Sequence, residues 1–160
     1  MKNKKGSVGD LFYILMVAVV CAFMFVTGWM MMSKVNAEFQ AQDSIATTGK
    51  TMMQDSSNRF VATFDNLFLT ILIVLYLGAV ILAWNIDTNP IFFFISLIVF
   101  GVLVLLAAVF GNAFYTFSQN ANILTYANDF TIIPLVMNNF VKIMVGLGFG
   151  LAGVMYAKTK

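Results

Sequence analysis

The chain has 160 residues, 61% hydrophobic and 10% charged, with nine Lys and Arg against seven Asp and Glu for a net charge of +2. A soluble domain is closer to half apolar and a quarter charged, and at this size it could not hide so much apolar surface. The composition excludes an ordinary soluble globule and points to lipid as the solvent for most of the chain. A charge this small does not mark a nucleic-acid binder.

Residues 1–10 carry Lys2, Lys4 and Lys5 ahead of an apolar run at 11–32, about the length that crosses a bilayer. Val35-Asn36-Ala37 has the form of a signal cleavage site, but the run is longer than a signal core and Lys34 sits just before it. The segment is therefore expected to be a retained anchor. Lys4-Lys5-Gly6 also resembles a type IV prepilin leader, but Leu11 stands where a pilin carries its acid, and a pilin has only one such apolar run. Cys21 is the lone cysteine and cannot form an intrachain disulfide.

The main polar stretch, 33–65, contains no proline and reads as two helical extensions joined by a turn. Gly49 is expected to end the first and Thr51 to Gln54 to form a capping box opening the second. Phe60, Phe64 and Phe68 recur at i, i+4, and Phe39 belongs to a weaker stripe. The first two membrane helices are thus expected to continue as a hairpin projecting about 20 Å. Phe39, Phe60 and Phe64 are its candidate contacts.

The second span is expected at 66–84. Asn89 as N-cap and Pro90 at the first helical position predict a third span over 91–110. Residues 111–130 are polar and aromatic, and Phe114, Tyr115, Phe117 and Tyr126 suit the headgroup region. A fourth helix is predicted over 131–157, with Pro134 tolerable in its first turn. On it, Asn138, Asn139, Lys142, Gly146, Gly150 and Gly153 fall near one face. Gly146 and Gly150 form GxxxG, which permits close backbone approach. Asn139, Lys142, Gly146, Gly150 and Gly153 are the candidate helix-packing interface, within the chain or between copies. The alternative, a polar pathway gated by Lys142, is weakened because Lys142 lies near an interface and can snorkel.

The resulting fold is all-α: a single integral membrane domain over residues 1–160 with about four transmembrane helices, the first two extended into a polar hairpin. With four spans, Lys2, Lys4, Lys5, Lys158 and Lys160 share one side, so the positive-inside rule places both termini in the interior. Asp10 and Asp129 are expected near helix starts, Asp65 as a solvated interfacial charge, and Asp87 in the short turn. With no histidine there is no base to activate Ser or Cys. No phosphate-binding loop, dinucleotide fingerprint, CxxC pair or HExxH motif occurs. Catalytic, cofactor and metal residues are expected to be absent.

The layout is a KNKKGS leader and anchor, a polar helical hairpin, a TNPIFFFISLIVF span, an Asn and aromatic segment, and a helix closing on GVMYAKTK. It resembles the small multispanning membrane proteins of tailless, membrane-containing viruses. That resemblance covers most of the chain as architecture and carries over no functional residue. It implies a structural protein of the virion membrane that repeats in many copies and ties the lipid layer to capsid proteins. Contact of the basic N-terminus with packaged nucleic acid would be weak or absent. The alternatives are a cellular membrane accessory subunit or small channel or transporter component, and third a holin-like pore former.

Overall fold

A computed structural model describes residues 8–84 and 90–158, and every regular element among them is a helix. The elements are α1 (Val8–Ala41), α2 (Thr47–Trp84), α3 (Pro90–Ser118), α4 (Leu124–Asn128), α5 (Ile132–Asn138) and α6 (Phe140–Lys158). Three stretches are long and apolar enough to cross a membrane: Asp10–Ala41, Thr47–Trp84 and Leu97–Ser118. A fourth is added if α5 and α6, bent by 77° at a short break, count as one span. The chain is an all-helical membrane protein. Lys2, Lys4, Lys5, Asp87, Asn89 and Lys160 lie outside the described residues.

At 1.5 Å per residue, α1 is about 51 Å long and α2 about 57 Å, well beyond the roughly 30 Å of a hydrocarbon core. The two run antiparallel, and their polar halves are fastened by amides. Asn36 Nδ2 donates to Gln54 Oε1 at 3.0 Å. One turn further on, Gln40 Nε2 donates to the Lys50 carbonyl at 2.9 Å and Lys50 Nζ donates to the Gln40 carbonyl at 2.8 Å.

This arrangement replaces the expected caps. α1 already stops at Ala41, so Gly49 does not end it but lies inside the first turn of α2. Thr51 is likewise interior, its hydroxyl donating to the Thr47 carbonyl, and Gln54 reaches across to α1. An intrahelical bond took the Thr51 hydroxyl, and a bond across the pair took the Gln54 amide oxygen, that a local capping box would have used.

The core is aliphatic and aromatic. Ile14, Leu15, Ala18, Ala22 and Val26 give α1 its buried stripe, which meets Phe68, Ala79 and Ala83 of α2, Ala107 and Phe114 of α3, and Phe140 and Met144 of α6. α3 continues to Ser118, through the first eight residues of the segment expected to lie among headgroups. Phe114 is accordingly buried, edge-on to Phe23 at 5.7 Å and tilted against Phe117 at 6.2 Å. Tyr115, the next residue of α3, is exposed.

The predicted continuous helix over 131–157 is broken. α5 ends at Asn138, Asn139 adopts φ −107° and ψ 19°, and α6 begins at Phe140. The short α5 lies across the end of the bundle that carries the hairpin, with Ile133, Val136 and Met137 buried against α2 and α3. α6 then returns along α2 and α3 for about 28 Å.

Candidate functional site

The polar chemistry of the bundle is concentrated at the hairpin end, where α2, α1, α3 and α5 meet. Its centre is Asp65. On α2 the inward positions run Ser57, Val61, Asp65, Phe68, Leu72, Ala79, Ala83, a spacing of three, four or seven that follows one helix face. Asp65 therefore points inward between Val61 and Phe68 and keeps only 6% of its surface. The expectation of a solvated charge is overturned.

A carboxylate this buried needs partners, because removing it from water without them costs several kcal/mol. The partners are the free amides at the start of α5. Asp65 Oδ2 accepts from the backbone N–H of Thr131 at 2.9 Å and of Ile132 at 2.8 Å, and Oδ1 accepts from Ile133 at 2.9 Å. The first turn of a helix has N–H groups with no internal acceptor and carries a partial positive charge. Thr131, the local N-cap residue, makes no side-chain cap bond. The cap is supplied from α2, 66 to 68 residues away in sequence.

A second tether lies beside it. Trp29 Nε1 donates to Asp129 Oδ2 at 2.7 Å. The indole stacks on Phe60 at 5.7 Å and 25°, Phe60 stacks on Phe64 at 4.2 Å, and Phe64 meets Phe25 edge-on at 4.9 Å. Asp129 is thus not a helix-start acid: it is the C-cap residue of α4 and anchors the connecting strap to α1. Phe60 and Phe64 are spent on joining the two arms of the hairpin. Phe39 is half-buried and approaches Gly49 across the pair.

Between the tethers lies an open cleft of about 400 Å³ lined by Asn58, Val61, Ala62, Asp65, Asn66, Asp129 and Thr131. Its buried carboxylate is already committed to three amides, so the arrangement holds a helix in place.

The bend at Asn139 is built locally. Its side-chain amide donates to the Leu135 carbonyl at 2.9 Å, its backbone N–H donates to Met137, and its Oδ1 accepts from Lys142 Nζ at 3.2 Å. Asn139 and Lys142 therefore serve the elbow, with Lys142 exposed.

The expected glycine face is divided. A side chain at Gly150 would overlap the Tyr76 hydroxyl of α2, so this glycine serves packing within the chain. Gly146 and Gly153 face open space, beside Lys142 and the 69%-exposed Phe149. The closest internal approach uses a glycine outside that face, Gly148, where a Cβ would overlap the Phe100 ring of α3. Gly111 of α3 was also missed: its Cβ would stand 3.3 Å from the Met137 carbonyl. A sequence signal existed for Gly148, which lies between two glycines in the GLGFG run.

Comparison with protein families, with curated proteins and with solved structures finds no match to this chain.

Proposed function

We propose that this chain is a structural membrane protein of a virion, organising the lipid layer by helix packing and linking it to the capsid through the α1–α2 hairpin. The observation that carries this reading is the distribution of charge. Residues 11–33, 66–86, 88–128 and 143–157 contain no Asp, Glu, Lys or Arg, so the spans offer no charged pathway. Asp65, Asp129 and Lys142 gather at the hairpin end, where they secure the helices to one another.

Beyond the Trp29–Phe60 stack, α1 runs on to Ala41 and α2 reaches back to Thr47, an arm of about 18 Å. Its amide fastening makes it a stiff post of a length suited to meeting a protein layer above a bilayer. The virion setting rests on the architectural resemblance. The partners are lipid, further copies of the chain and capsid proteins, with both termini on the interior side. Gly146 and Gly153, left open beside Lys142, form the face available to another copy.

The 77° elbow favours a second reading, a cellular accessory or channel subunit, because broken helices also build transport sites. Quantitative mass spectrometry of density-purified, nuclease-treated particles against host membranes separates the two. Enrichment at a stoichiometry comparable to the major coat protein supports the virion reading. Presence only in host membranes discards it and directs work to electrophysiology.

A further inference from the structure

The elbow leaves a second groove, on the α3 side, that the tethers do not use. It has a volume of about 470 Å³ and is open on one side. One wall is a single face of α3: Ala108, Gly111, Asn112 and Tyr115, at i, i+3, i+4 and i+7. The other is the bend itself, from Met137 and Asn138 to Phe140 and Val141.

Polarity changes along this groove in the direction of the bilayer normal. Asn112, Tyr115 and Asn138 stand at the hairpin end, all exposed. Ala108 lies one turn deeper on α3, and the first turn of α6 adds Val141 and the buried Phe140. Neither the side-chain amides of Asn112 and Asn138 nor the Tyr115 hydroxyl makes a hydrogen bond to another described residue. The nearby Asn139 and Asn66 amides, by contrast, are both satisfied by backbone carbonyls. No Asp, Glu, Lys or Arg lines the groove.

We propose that this groove is a binding site for an amphiphile with an uncharged, hydroxyl-bearing head. The head hydroxyls pair with Asn112, Asn138 and Tyr115, and the first methylenes of the chain lie over Ala108, Phe140 and Val141. Two features select the ligand class. The polar rim above an apolar floor requires a molecule that is wet at one end and dry at the other. A rim of amides and a phenol, without a cation, gives a phosphate no advantage over a hydroxyl. Gly111 keeps the walls close enough for one molecule to touch both.

The test uses full-length protein in phosphatidylcholine nanodiscs doped with a diacylglycerol carrying a diazirine in its acyl chain. After irradiation, peptide mapping by mass spectrometry should place labelling on 108–115 and 137–141, several-fold above the other lipid-exposed segments. Unlabelled diacylglycerol or monoglycosyl diacylglycerol should compete, and phosphatidylglycerol at equal mole fraction should not. Asn112→Leu with Asn138→Leu should cut labelling there at least three-fold, whereas Phe149→Leu, on the outward face of α6, should leave it unchanged. Circular dichroism and gel filtration establish that each variant is folded. Even labelling of all lipid-facing helices, equal competition by phosphatidylglycerol, or unchanged labelling in the folded double variant would overturn the proposal.

Discussion

Replacing Asp65 with alanine tests the account of the hairpin end most directly. The substitution removes both carboxylate oxygens and with them all three hydrogen bonds at the start of α5. Thr131 is exposed, so its amide can turn to water. The N–H of Ile133 lies against a buried side chain and cannot do so freely. Loss of a helix cap costs about 0.5–2 kcal/mol and one buried unsatisfied amide about 1–3 kcal/mol, so the sum is roughly 1.5–5 kcal/mol. Asp65→Asn keeps an acceptor and gives up the charge, and should lose roughly half as much. The assay is unfolding in mixed detergent–SDS micelles followed by circular dichroism. Hydrogen exchange mapped by mass spectrometry adds the local readout. Protection should fall over 131–138 in Asp65→Ala, while the Asn36, Gln40 and Gln54 region of the hairpin stays protected. A loss under about 0.5 kcal/mol together with unchanged exchange at 131–133 would show that α5 is held by burial of Ile133, Val136 and Met137 alone.

Trp29→Phe keeps the stack on Phe60 but removes the donor to Asp129. It should cost about 0.5–1.5 kcal/mol in the same unfolding assay, and loss of more would mean that the indole packs more deeply than described. Gly148→Ala should destabilise by about 1–3 kcal/mol because the Phe100 ring must move, while Gly146→Ala, facing open space, should stay within about 0.5 kcal/mol. Equal effects would refute the division of the glycines between internal and external faces. Gly146→Leu should leave the monomer folded and reduce self-association, measured by single-molecule photobleaching in vesicles. Unchanged oligomer size would remove that face from the interface. Phe114→Ala should cost about 3–5 kcal/mol, since it leaves a cavity beside the paired Phe23 and Phe117 rings, and a smaller loss would return Phe114 to the headgroup layer.

Much of the candidate site was hidden in a sequence that reads clearly as helical. Asp65 stands at the junction of a polar stretch and an apolar span, where a solvated charge is the ordinary expectation. Counting it on the Ser57, Val61, Phe68 register places it inward, but nothing local identifies the amides of Thr131, Ile132 and Ile133 as its partners. The Asn138-Asn139 pair was visible as polar positions on a helix. That Asn139 ends one helix and opens the next depends on its bond to Leu135 and on α5 being pinned at its other end.

By itself the sequence determined the solvent and the element type. Apolar runs of bilayer length must satisfy their backbone internally, and the helix is the local way to do so. It also set the start of α3 at Pro90, because that residue has no N–H to lose in a first turn. The tertiary structure decided which helix end each polar group serves. Gln54 was free to cap its own helix and was drawn to Asn36; Gly150 was free to meet another chain and was taken by Tyr76. Such choices depend on distances between segments far apart in the chain, and those distances exist only once the helices have packed.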